Sequence, residues 1–188
     1  MAVITSWYTM DNKSGVDLNY VQSSVTITTD PSVPAPRAKL GDRVQGNNGS
    51  EWVFCIASAT VTQYNCVAIN NSYAATNINS GLVVSNVYFY GFAQFQSTVA
   101  NTGDYFWALL KADSGVGLRA SPSVQANAFV FLSFNGNSGS FTSSITSNAI
   151  MGIQVLASIS VSADGPTEAR VFTYILPALN MLVAGATA

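Results

Sequence analysis

Along most of this chain, apolar and polar positions alternate in short runs separated by Gly, Asn, Asp, Ser and Pro. A period of two is the pattern of β-strands, because successive side chains point to opposite faces. The stretch from Gly41 to Ile69 sets the theme. Asn47-Asn48-Gly49 predicts a hairpin turn, since Asn-Gly accepts the positive φ values of a type I′ turn. Beyond it, Trp52, Phe54 and Ile56 fall on one face of a strand, and Val53, Cys55 and Ala57 on the other. Both rows are apolar, so this strand is expected to be covered on both sides. A second run, Tyr64 to Ile69, is expected to return beside it about the Thr60/Val61 midpoint. That register would set Trp52 opposite Ile69, Phe54 opposite Val67 and Cys55 opposite Cys66.

Further runs read the same way: Val21 to Thr29, Val87 to Phe95, Tyr105 to Leu110, Val116 to Ala120, Phe129 to Phe134 and Ile150 to Ser162. Asp113-Ser114-Gly115 is expected to turn the chain, and Asn70 to Asn86 to be a long connection. Asp164-Gly165 predicts a hairpin turn whose returning strand is Arg170 to Leu176. No amphipathic helical pattern longer than two turns stands out. The fold class expected is all-β, an antiparallel sandwich or barrel.

Pro31, Pro34 and Pro36 forbid a central strand and favour an extended connector. Residues 1–36 therefore read as an N-terminal extended arm with a Pro-rich linker, with an edge strand of the same sandwich as the alternative, and residues 37–188 as the β-domain. Trp7, Tyr8, Met10, Val25 and Ile27 are the arm's apolar side chains and its candidate contacts with a neighbouring subunit. The expectation is that the arm packs on a neighbour rather than on its own core, so that a chain lacking residues 1–29 would still fold.

Composition narrows the class. Charged residues are only 9% of the 188, while 48% are hydrophobic and 11% aromatic. The average soluble protein carries about 25% charge, so Ser, Thr, Asn and Gln must supply most of the polar surface. Extracellular β-proteins, adhesins and virion shell components share that balance. The seven basic residues are scattered against nine acidic ones, giving no nucleic-acid footprint. No apolar run approaches the ~20 residues of a membrane-spanning helix, so no membrane partner is expected. The N-terminus lacks the basic and apolar regions of a secretory signal.

Chemistry is sparse. With no histidine, the commonest general base and metal ligand are missing. Cys55 and Cys66 match no metal spacing; buried thiols and a strained cross-strand disulfide both suit them. Glu51 and Asp104 each precede an aromatic strand and are the one carboxylate pair that a glycosidase could use. Turn and strand-edge roles account for them more simply. No catalytic residue, cofactor site or metal site is expected.

The order of features resembles the head decoration (capsid cement) proteins of tailed bacteriophages. The residues that carry the resemblance are Gly46 to Trp52 with Gly49-Ser50, and Phe54 to Ala59 returning through Asn65-Cys66-Val67-Ala68-Ile69. Gly103-Asp104-Tyr105-Phe106-Trp107 and Ile150-Met151-Gly152 follow, so that residues 37–165 are covered. Gln63-Tyr64 stand where such chains usually have a glycine, and the Pro-containing arm is an addition. The resemblance implies a non-enzymatic β-domain, jelly-roll-like or β-tulip-like, on the outer surface of the virion capsid. Its implied partners are the major capsid protein and itself, as a homotrimer. The low charge agrees, because charges are depleted at interface cores while Tyr, Phe, Trp and Met are enriched. A receptor- or carbohydrate-binding β-module of a fibre, tail or adhesin is the alternative reading.

Overall fold

The computed structural model describes residues 7–10, 16–24, 36, 38–78, 87–120, 131–132, 141–142, 153–155 and 165–171. The elements among the described residues are strands: β1 (Arg43–Gln45), β2 (Glu51–Ala57), β3 (Val61–Thr62), β4 (Cys66–Asn70), β5 (Ala74–Asn77), β6 (Val87–Ala93), β7 (Val99–Ala100), β8 (Tyr105–Ala120), β9 (Phe131–Leu132), β10 (Phe141–Thr142), β11 (Ile153–Val155) and β12 (Gly165–Val171). The protein is all-β, and antiparallel pairings dominate.

Five strands close on themselves. β2 pairs with β5, β5 with β4, β4 with β6, β6 with β8, and β8 with β2 again. Closure is made at one level of β8, where Ala108 faces Val53 on one edge and Ala93 on the other. The ring's interior has room only for modest side chains, since barrel diameter grows with strand number. Alternation supplies them: Val53, Cys55, Ala57, Val67, Ile69, Ala75, Ala93 and Ala108 form one core cluster with Phe89, Phe106 and Leu110. The bulky partners on the other face, Trp52, Phe54, Tyr90, Phe92, Trp107 and Leu109, form a second cluster outside the ring. β2 is thus buried on both faces, as its double apolar row requires.

The turn before β2 forms as expected. Asn48 and Gly49 both take positive φ, +55° and +62°, and the ladder between β1 and β2 registers Gln45 with Glu51. The expected return of Tyr64 to Ile69 beside β2 does not occur. β4 pairs instead with β5 and β6, and β5 lies between β4 and β2, parallel to β2. The cause is a tight reversal straight after β4. Asn70 Oδ1 accepts from the backbone N–H of Ser72 and of Ala74, each at 3.0 Å, and Tyr73 adopts φ +60°. That turn hands β4 a nearer partner, the Ala-Ala-Thr-Asn strand inside the stretch read as a connection. Cys55 and Cys66 consequently belong to different core clusters and are free thiols.

Tyr64, at the position where a glycine was expected, adopts φ +65°. Its ring lies directly over Gly117, where a Cβ would collide with it. Beside it, the buried Gln94 side chain takes both backbone groups of Gly117. Nε2 donates to the carbonyl and Oε1 accepts from the N–H, each at 2.8 Å. A side-chain amide thus stands in for a neighbouring strand.

β8 runs through the expected turn at Asp113-Ser114-Gly115. Two irregularities re-aim it rather than end it. The register with β2 slips at Leu110, so that Trp52 faces Leu109 but Glu51 faces Lys111. Before the slip, even-numbered residues point into the ring; after it, Ala112, Val116 and Leu118 join the outer cluster. β12 then pairs along this second half, with a further slip between Ala169 and Val171, and also with β11. Of the expected strands, Val25 to Thr29, Phe129 to Val130, Ser133 to Phe134, Ile150 to Gly152 and Leu156 to Ser162 lie outside the described residues, as do Arg170's followers from Phe172 on.

Two consequences of burial are measurable. Desolvation pushes both cysteine thiols far above their ordinary value, and the thiolate is the reactive form. Neither Cys55 nor Cys66 should react with an aromatic disulfide reagent in the native protein, and both should react after guanidinium unfolding. Burial, with a smaller contribution from Cys66, pushes the Tyr90 phenol from 10 up to about 12. The folded state then keeps a proton that the unfolded chain releases. Stability from this group is complete below pH 10 and is lost as the pH rises towards 12, so the denaturation midpoint should fall across that window. Tyr90→Phe should flatten that part of the decline.

Candidate functional site: the N-terminal arm and its groove

The arm residues build onto the domain in two short segments. In the first, Met10 N donates to the Gln45 carbonyl at 2.9 Å, and Asn47 N to the Tyr8 carbonyl at 3.0 Å, with Thr9 opposite Gly46. Residues 8–10 are therefore a further strand on the outer edge of β1. In that pattern the N–H and C=O of Thr9 point away from β1, towards an edge with no described strand beyond it. Alternation turns Trp7 inwards and Tyr8 and Met10 outwards. Tyr8 is 58% exposed and Met10 68%.

Trp7 corrects the expectation that the arm avoids its own core. It is buried edge-on against Trp52, ring centroids 5.2 Å apart. Asn19 fixes it from the other side: Oδ1 accepts from Trp7 N at 2.9 Å, and Nδ2 donates to the Trp7 carbonyl at 2.7 Å. Leu18 is fully buried in the same cluster. The physical reason is the unusual bulk on the outside of the ring. Trp52, Phe54, Tyr90 and Trp107 leave a wide apolar face, and covering it offsets the roughly 1–2 kcal/mol per residue that ordering the arm costs. The arm at residues 7–10 and 16–24 belongs to the β-domain. Val25 and Ile27 lie outside the described residues.

The second segment is pinned by Asp104. Gln22 and Tyr105 exchange backbone hydrogen bonds of 2.8 and 2.9 Å. The buried Asp104 carboxylate accepts from Ser24 N at 3.0 Å and from Asn101 N at 2.9 Å. Between this segment and residues 96–104 lies an open groove of about 280 Å³. Tyr20, 62% exposed, and Val99, 38% exposed, stand beside it. The sequence offered no signal for this groove, since Asp17-Leu18-Asn19-Tyr20 has no motif and its neighbours come from 80 residues away.

Glu51 and Asp104 are not brought together. Glu51 sits at the start of β2 with Arg43 at 3.5 Å and Lys111 at 3.9 Å, and the Arg43 guanidinium also covers the Phe89 ring at 4.8 Å. Asp104 lies beyond Tyr105, which pairs with Ile56 at the far end of β2. Six residue rises separate the two levels, roughly 20 Å at 3.3–3.4 Å per residue. A glycosidase pair faces across about 5–10 Å, and this pair does not. Among the described residues, no group of three or more His, Cys, Asp or Glu could hold a metal ion, and no helix is long and apolar enough to cross a membrane.

No protein-family model, curated protein or solved structure matches this chain. Trp7 is the site residue whose role can be tested on the fold alone. Its Nε1 is buried without a hydrogen-bond partner. Trp7→Ala should cost about 3–5 kcal/mol in chemical denaturation. Trp7→Phe should cost much less, because it keeps a ring on Trp52 and deletes the unpaired N–H.

Proposed function

We propose that this protein is a structural virion component, a decoration or cement protein on the outer surface of a tailed-phage capsid. In this reading it binds between major capsid protein subunits, associates with itself as a homotrimer, and carries out no catalysis. The observation that carries the reading is the arm strand: an open backbone edge at Thr9 flanked by exposed Tyr8 and Met10. Such an edge suits strand addition, in which main-chain hydrogen bonds supply affinity and flanking side chains supply specificity. The order of sequence features points the same way. So does the use of the buried polar side chains Gln94 and Ser50, which hold backbone and Trp52.

Two variants test it. Tyr8→Ser with Met10→Ser alters only exposed side chains and should leave the melt unchanged while weakening attachment to the shell by about tenfold or more. Thr9→Pro removes the outward N–H alone, since β1 is held through Tyr8 and Met10, and should weaken attachment likewise. Co-sedimentation with decorated particles is the readout. Undiminished attachment in both, or a monomer by sedimentation at micromolar concentration, would overturn the reading.

A further inference from the structure

From the groove between residues 17–23 and 96–104, we infer a binding site for a neutral saccharide, one or two sugar rings in size. This goes beyond shell attachment and uses a different surface from Tyr8 and Met10. The wall of the groove is made by groups whose hydrogen bonds are already taken. Asn19 spends its amide on Trp7, Asp17 Oδ1 accepts from Asn19 N at 2.9 Å, and both Asp104 oxygens hold backbone N–H groups. These contacts fix the lining before any ligand arrives. The side chains of Tyr20, Ser23, Ser97 and Asn101 also line the groove and make no hydrogen bond within the described protein.

The chemistry of that lining selects the ligand class. Neither Lys nor Arg lines the groove, whereas Asp17 and Asp104 do, so phosphates, sulfates and nucleic acid are disfavoured. A lining of hydroxyls and an amide is a poor match for an apolar ligand and a good one for an uncharged ligand rich in hydroxyls. Tyr20 adds an exposed aromatic ring at the rim, whose electron-rich face attracts the polarised C–H groups of a pyranose. Val99, also in the lining, offers a small apolar contact. The volume, about 280 Å³, sits near the lower bound of small-molecule sites at ~300 Å³, which limits the ligand to a mono- or disaccharide unit or the end of a longer glycan.

The test is titration of the full chain with glucose, galactose, mannose, N-acetylglucosamine, maltose and cellobiose, followed by saturation-transfer NMR. A sulfated disaccharide serves as the anionic control. At least one neutral sugar should bind saturably. Tyr20→Ala and Asn101→Ala should each weaken it about tenfold, while shell attachment and the melting temperature stay as in the parent. Ser97→Trp, which fills the groove, should abolish binding. The inference is overturned if no neutral sugar binds, if only the sulfated one does, or if binding survives all three substitutions. Loss of shell attachment in Tyr8→Ser/Met10→Ser, with sugar binding intact, separates this site from the proposed capsid contact.

Discussion

Closure of the ring at β8 is the constraint on which the rest depends. Ala108 and Leu109 pair with β2 on one edge and with β6 on the other. A closed sheet leaves no free edge among its five strands, which removes the usual route to edge-to-edge aggregation. Closure also fixes the size of every inward residue. The interior holds Ala, Val and Cys with Ile69, Leu110 and the rings of Phe89 and Phe106, and Gly91 lies where a Cβ would meet Ala108 and Ile69 at 3.2 Å. One-residue slippage of any strand would swap this row for Trp52, Phe54 or Trp107, which the interior could not hold. Register is therefore set by volume as much as by hydrogen bonds.

The bulk excluded from the interior decides what happens outside. Two tryptophans and several other rings crowd the outer face, and the arm's Trp7 and Leu18 close it. Once Trp7 turns in, the pleat obliges Tyr8 and Met10 to turn out. The exposed apolar pair is thus a consequence of the buried anchor. With charges at only 9% of the chain, the polar work inside falls to neutral or singly charged side chains acting on backbone. Gln94 clamps Gly117, Asn19 clamps Trp7, Asn70 caps the turn before β5, and Asp104 ties Ser24 to the 101–104 turn. Each satisfies backbone groups that a longer strand would otherwise have paired. Asp104, half of the carboxylate pair picked out in one dimension, belongs to that pattern in three.

What the sequence determined by itself is local. The period-two rows gave β2 its two buried faces, Asn48-Gly49 its hairpin turn, and the aromatic runs at Val87 and Tyr105 their strands. In each case neighbouring residues along the chain decide the outcome through pleat and turn geometry. The pairing of strands was decided elsewhere. β5, with Ala, Ala, Thr and Asn, has almost no pattern and is a strand because β2 and β4 offer it edges on both sides. The turn expected at Asp113 became a bulge because β12 supplies partners further along β8. Trp7 and the Tyr20 groove depend on contacts between residues 12 to 80 positions apart. Only closure of the ring brings such residues together, because the packing volume and hydrogen-bond geometry that join them exist in the folded chain and in no single stretch of it.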